Sequence, residues 1–157
     1  MTLSPVDETI IEKLKSVKSA SHDPHRPVGV IVADRDGKLL VEGTNQPPVR
    51  FGYSVKETQD AIRDDPSWKY FMIEHAERNA INRARDERKD VRGATMYGTL
   101  FPCADCARAL VEAGIVRLVV PAPGLDPSRD VKWQEHYKYA TEILRLAGVR
   151  VDTYFPV

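Results

Sequence analysis

The chain has 157 residues, 42% of them hydrophobic, which suits one compact domain over residues 1–157 with its own core rather than two. Lys plus Arg and Asp plus Glu balance at 23 each, so no basic field marks a binder of nucleic acid or of an anionic membrane. No apolar run approaches the roughly 20 residues that span a bilayer, and the start at Thr2, Ser4, Pro5 and Asp7 lacks the basic-then-apolar pattern of a secretory leader; a cytoplasmic protein is expected.

Residues 4 to 20 have helical spacing at Ile10, Ile11, Leu14 and Val17, with Ser4 as N-cap and Pro5 at the first helical position. Val28 to Ala33 is a β-branched run; Asp34, Asp36 and Gly37 form a turn, and Lys38 to Val41 completes a hairpin. From Gly43 to about Trp68 the chain is polar and broken by Pro47, Pro48, Gly52 and Pro66. This predicts a long loop containing a helix near Glu57 to Asp64, of the kind that borders a pocket.

The pattern then gives a helix over Ala76 to Glu87, a strand over Ala94 to Thr99, a helix over Ala104 to Ala113 closed by Gly114, and a strand over Val116 to Val120. The strand, helix, strand run implies a right-handed parallel crossover. Pro121 to Ser128 is expected to be irregular, Trp133 to Ala147 a helix ending at Gly148, and Val149 to Tyr154 a last strand. The expected architecture is α/β: a mixed five-stranded sheet with helices on both faces.

The only two cysteines, Cys103 and Cys106, stand three apart, too close for a disulfide framework, and are read as a redox pair or as half of a metal site. His75-Ala76-Glu77 decides between them. One imidazole and two thiolates supply the three ligands that a catalytic zinc ion needs, with the fourth position left for water, whose pKa falls from about 15.7 towards roughly 7. A structural zinc site would need a fourth ligand, and His22, His25 and His136 have no spacing that recommends them and are read as surface or pocket-rim residues.

Each ligand group sits at a predicted helix start, where unpaired amides and the helix dipole favour anions. Glu77 lies two residues beyond His75, about 200° around a helix, so it is placed to reach the water rather than the metal and serves as general acid and base. The backbone N–H groups of Ala76 and Cys103 are candidates for orienting the base or the metal-bound group.

The H-x-E and P-C-x-x-C pair resembles the signature of the zinc nucleobase deaminases. Ser21-His22-Asp23-Pro24, Gly43-Thr44-Asn45, His75 to Ile81 and Met96 to Cys103 follow in the order seen in deoxycytidylate deaminases, and Ala113-Gly114-Ile115 and Ala147-Gly148-Val149 continue the match. The resemblance implies a cytidine-deaminase-like three-layer sandwich and one catalytic Zn2+ per subunit. It further implies a small-molecule nucleobase or nucleotide substrate and a homo-oligomer, hexameric in the deoxycytidylate branch. By resemblance Asn45 contacts the substrate near its sugar or base, and the loop from Thr44 to Trp68 walls the pocket.

Two departures from the family pattern bear on substrate: Gln46 where a glycine is usual, and Pro121-Ala122-Pro123-Gly124-Leu125 where an aromatic residue is common. Arg26, Arg50 and Lys56 are candidates for a phosphate. Asn45 also suits a plain turn former. Trp68, Tyr70, Phe71 and Trp133 are either core or pocket wall, with Phe71 assigned to the core. The expected reaction is hydrolytic deamination of a cytosine mononucleotide, dCMP first, to the uracil product and ammonia. The alternatives are a free base, a nucleoside or another aminated heterocycle such as guanine or a pterin-like ring. A tRNA or polynucleotide deaminase is disfavoured by the balanced charge, and a non-catalytic zinc module remains as the contrasting class.

Overall fold

The computed structural model describes residues 3–124 and 127–156. In chain order it runs α1 (Pro5–Ser19), β1 (Gly29–Ala33), β2 (Leu39–Thr44), α2 (Val55–Asp64), α3 (Lys69–Met72), α4 (Ala76–Asp86), β3 (Thr95–Gly98), α5 (Ala104–Glu112), β4 (Arg117–Pro121), α6 (Pro127–Leu146) and β5 (Arg150–Tyr154), with a short 3-10 turn at Val49–Phe51. The five strands form one sheet in the order β2-β1-β3-β4-β5. β1 is antiparallel to both neighbours, while β3, β4 and β5 run parallel.

Alternation along the strands makes two cores. Val30, Val32, Met96, Leu118 and Val120 face α4, α5 and α6, whereas Ile31, Ala33, Tyr97 and Val119 face Ile10, Leu14 and Val17 of α1. Helices therefore cover both faces, as the pattern implied. The first helix starts at its expected N-cap: Ser4 Oγ accepts from the Asp7 amide at 3.1 Å, and Asp7 Oδ2 accepts from the Ser4 amide at 2.9 Å.

That α1 face also holds charge. Arg117 makes a two-pronged ion pair with Asp7 at 2.8 and 2.9 Å, its Nε donates to Asp152 at 2.8 Å, and the Tyr97 hydroxyl donates to Asp7 at 2.6 Å. The network joins α1 to β3, β4 and β5. The Arg117 guanidinium holds the Asp7 carboxyl well below the usual carboxylate range.

Two glycines and one backbone bridge set how closely the elements pack. At Gly43 a Cβ would lie 2.5 Å from the Ala76 carbonyl oxygen and 2.6 Å from the Ala80 nitrogen, so only glycine lets the first turn of α4 press onto β2. At Gly29 a Cβ would lie 2.7 Å from the Lys18 nitrogen of α1. Beyond β2 the backbones of Gln46 and Glu74 exchange two hydrogen bonds, at 3.3 and 2.9 Å, which fixes the residue before His75.

The structure departs from the sequence reading at several boundaries. The stretch from Gly43 to Trp68 is more ordered than a long loop: β2 extends to Thr44, and α3 follows α2. Pro121 belongs to β4 and is its last residue, beyond the stretch paired with β3. α6 begins at Pro127, not near Trp133, because proline suits a first helical turn; Leu125 and Asp126, within the segment expected to be irregular, lie outside the described residues. Phe71 is 84% exposed rather than part of the core, since α3 is a single turn whose outer side has nothing packed on it.

Candidate active site

The antiparallel placement of β1 brings its start, with Val28 before it, to the same end of the sheet as the ends of β2 and β3; Gly29 is opposite Thr44, and the Thr99 amide donates to the Gly29 carbonyl at 3.0 Å. The helix starts of α4 and α5 meet at that end. There a cavity of about 700 Å³ opens, lined by Asp23, Arg26, Asn45, His75, Glu77 and Cys103 among others, a size ordinary for small-molecule sites.

His75 and Cys103 are the N-caps of α4 and α5, both with extended backbones (ψ 151° and 171°), and Cys106 lies in the first turn of α5. His75 Nδ1 stands 3.6 Å from Cys103 Sγ and 3.3 Å from Cys106 Sγ. Among the described residues this is the one group of His, Cys, Asp and Glu side chains placed to hold a metal ion. Ligand atoms around a tetrahedral zinc with bonds of about 2.0–2.3 Å are separated by roughly 3.6 Å, so the donor set fits zinc in both chemistry and spacing.

The electrostatics point the same way. A hydrogen bond from the Cys106 thiol, with further help from His75 and the Cys106 backbone amide, pulls the Cys103 pKa far below that of a free thiol, while the same hydrogen bond and burial push Cys106 up. The opposite shifts reflect how close the two sulfurs lie, an arrangement that a cation shared by both would relieve by displacing protons. The Cys103 sulfur raises the His75 pKa against the effect of burial. Glu77, the second residue of α4, is buried beside them.

A family model for the cytidine and deoxycytidylate deaminase zinc-binding region matches residues 4–122. The chain belongs to this family. Zinc is accordingly its metal, and the enzyme class is that of hydrolases acting on a C–N bond. A protein of Aliivibrio fischeri described as an uncharacterized deaminase in the luxG 3′ region is 30% identical over 90% of this chain and 87% of its own length. The deoxycytidylate deaminase of Homo sapiens is 32% identical over 63% of this chain, and that of Enterobacteria phage T4 53% identical over 51%. The chain spans about half the length of these last two, 54% and 42%. In fold it is similar to the dCMP deaminase of cyanophage S-TIM5 solved with dCMP and dUMP, with a TM-score of 0.72, 20% identity, and coverage of 98% of this chain and 100% of that one.

Of the residues that the sequence singles out in this deaminase, His75, Ala76, Glu77, Cys103, Asn45 and Arg26 all line the cavity. Asn45 is both a turn former and a wall. Its Oδ1 accepts from the Val28 amide at 2.9 Å and from Ser21 Oγ, and its Nδ2 donates to the Arg26 carbonyl at 2.8 Å. It therefore sets the backbone from which Arg26 projects.

Gln46, Arg50 and Lys56 are not brought to this cavity. Gln46 and Arg50 line a separate hollow beside α4, where Arg50 approaches Asp86 at 3.7 Å. Lys56 pairs with Asp60 one turn along α2 at 2.8 Å. The physical reason is register: the bridge to Glu74 turns the chain after Asn45 away from the cavity.

The cavity is also lined by Tyr70 and Trp133, which the sequence left as core or pocket wall, and by His25, Arg63, Lys69 and His136, none of which carries a motif. Lys69 pairs with Asp23 at 3.1 Å. Burial pushes the Asp23 carboxyl up, but the His25 amide, Lys69 and the Arg26 amide together draw it below the usual range. His22 is buried away from the cavity, with Nδ1 2.8 Å from Thr58 Oγ1; Thr58 donates to the Ser54 carbonyl, so His22 Nδ1 carries the hydrogen. Trp68 stacks on Tyr53 at 5.7 Å.

Proposed function

We propose that the chain is a zinc-dependent deaminase of dCMP, giving dUMP and ammonia, and that residues 1–157 act as one deaminase unit. The observation that carries this reading is the meeting of the His75, Cys103 and Cys106 donor set with buried Glu77 on the wall of a cavity whose rim bears Arg26, Arg63, Lys69 and His25. Relatives named deoxycytidylate deaminase support the same substrate.

In this reading His75, Cys103 and Cys106 hold the ion. The zinc ion, when bound, supplies Lewis-acid activation of water near neutral pH. The Glu77 carboxylate takes the first proton of that water and delivers it to ring N3 as C4 is attacked. It then carries the second proton to the exocyclic nitrogen, which leaves as ammonia, so that one water is consumed and both of its protons are placed. Burial of Glu77 keeps bulk water from competing for these transfers. The Ala76 amide, at the open start of α4, and the Nδ2 group of Asn45 orient the base and sugar. Arg26 and Arg63 are the phosphate partners, in place of Arg50 and Lys56.

The reading is tested by ammonia release from the zinc-loaded protein with dCMP, CMP, deoxycytidine, cytidine, cytosine, guanine and aminated pterins, with Glu77→Ala as the blank. Turnover of dCMP over deoxycytidine is the expected result. The alternative, an unphosphorylated ring, is favoured by two observations: Asp23 already pairs with Lys69 at the cavity, and Asp60 with Arg63 at 2.8 Å. Activity on a free base or nucleoside with dCMP untouched would replace the first reading. Turnover of tRNA alone would replace both.

A cytoplasmic homo-oligomer stays part of the proposal. No helix among the described residues is long and apolar enough to cross a membrane, and Phe71 and Tyr70, 84% and 66% exposed near the cavity mouth, suit a subunit contact. Light scattering of the zinc-loaded protein gives the oligomer's mass.

A further inference from the structure

Two consecutive residues of α6 grip the turn that carries the first cysteine. Trp133, His136, Tyr137, Ala140 and Leu144 recur at helical spacing along α6, and the last three are buried in the core that α5 shares. The Tyr137 ring meets that of Phe101, two residues before Cys103, edge-on, with centroids 5.7 Å apart and planes at 89°. His136 Nδ1 accepts the backbone N–H of Ala104, the residue after Cys103, at 3.2 Å. The turn from Phe101 to Ala104 is thus held on both sides of its metal ligand by one helix.

The hydrogen bond answers a need that the zinc chemistry creates. Ala104 is the first residue of α5, so its amide has no partner within the helix, and a side-chain oxygen at the N-cap is what usually serves such a helix start. Here the N-cap is Cys103, whose sulfur is turned toward His75 and leaves the Ala104 amide to another acceptor. His136 supplies an acceptor from another helix. Accepting at Nδ1 fixes the neutral tautomer with its proton on Nε2, and Trp133, with ring centroids 4.7 Å apart, packs against the imidazole.

We propose that His136 is a positioning residue of the zinc site: through the Ala104 amide it fixes the backbone of the Cys103 turn and hence the direction of the thiolate. The match to the family's zinc-binding region ends at residue 122, so this support comes from a part of the chain beyond the shared signature. The inference rests on the zinc reading and not on the choice of substrate. Partners one shell out from a metal are typically worth 10–100-fold in affinity or activity.

The test compares His136→Asn with His136→Leu, side chains of nearly equal size, of which only asparagine puts an acceptor oxygen near the position of Nδ1. Zinc-loaded full-length proteins are mixed with excess chromogenic chelator, without substrate, and zinc release is followed by absorbance; circular dichroism and thermal unfolding establish that each variant is folded. The leucine variant is expected to release zinc on the order of ten times faster than wild type or more, and the asparagine variant to stay within roughly threefold of wild type. With substrate, kcat of the leucine variant is expected to fall by a similar factor with KM nearly unchanged.

Equal release from leucine and wild type overturns the inference. So does equal acceleration in leucine and asparagine, because then ring packing and not the acceptor is what matters. Should the leucine variant fail to fold, His136→Phe, which keeps a ring against Trp133, takes its place. A wild-type protein that retains no zinc overturns the zinc reading and this inference with it; a zinc-holding wild type with the leucine variant unchanged overturns this inference alone.

Discussion

At the scale of single residues, the division of labour at the site can be tested by separating metal retention from turnover. Glu77→Gln removes the proton carrier and leaves the three donor atoms untouched, so zinc content measured by elemental analysis is expected to stay at wild-type level while kcat falls by about 10²–10⁴-fold. Cys106→Ser is expected to do the reverse, losing zinc and, with it, turnover, because a hydroxyl is a poor substitute for a thiolate beside a borderline-soft cation. If the phosphate is read by Arg26 and Arg63, Arg63→Gln raises KM for dCMP by about tenfold with kcat preserved, and leaves the constants for deoxycytidine, if it reacts, unchanged. An equal effect on both substrates would show that Arg63 shapes the cavity rather than reading charge.

At the scale of elements, catalytic geometry depends on how closely α4 lies on β2. A methyl group at Gly43 meets the backbone of Ala76 and Ala80 at 2.5 and 2.6 Å, and rigid backbone cannot step aside as a side chain can. Gly43→Ala is therefore expected to lift the start of α4, costing about 1–3 kcal/mol in chemical unfolding, and to lower kcat more than a substitution of equal cost far from α4. The matched control is Gly29→Ala, whose methyl meets α1 on the opposite face, at 2.7 Å from the Lys18 nitrogen; its loss is expected in stability with turnover preserved per folded molecule.

The elements also show what a sequence can and cannot disclose. His75, Cys103 and Cys106 were legible as a metal-binding group, and Glu77 as their neighbour on the cavity wall, because they fall within two short motifs, each at a helix start. The order of elements, α3 apart, followed from period together with caps and turn residues, since buried strands and amphipathic helices differ in spacing. Arg63 and Lys69 were not legible, nor was the bond from the Ala104 amide to His136, because each side chain reaches the cavity from an exposed or mixed helix face whose partner is distant in the chain. Gln46 misled for the converse reason. It adjoins Asn45 in sequence, but consecutive residues on an extended backbone point to opposite sides, and the pairing with Glu74 sends Gln46 to the other hollow.

At the scale of the whole molecule, stability and acid tolerance should track the charge network beneath α1. The pKa of Asp7 in the folded protein lies below its unfolded value of about 3.9, so its contribution is complete above that value and is lost as pH falls through the folded pKa. The Asp7 and Arg117 side chains are 4% and 18% exposed, but Arg117 keeps Asp152 as a partner when Asp7 is neutralised. Asp7→Asn is thus expected to cost about 1–3 kcal/mol at pH 7, the range for a lost charge-assisted hydrogen bond rather than for a stranded charge. The difference in Tm between variant and wild type should narrow steadily below about pH 4; a constant difference across that range would place the effect in packing.

The metal site can also be seen as a knot in the chain. Cys103 stands 28 residues beyond His75, and between them lie the whole of α4 and β3, so a bound ion fastens two helix starts into a closed loop much as a disulfide would. Closing a loop of that length removes about 3–4 kcal/mol of freedom from the unfolded chain on the entropic account. The ion that activates water is therefore also a tether, and stripping it loosens the end of the sheet where substrate binds while the α1 face keeps its own ionic clasp.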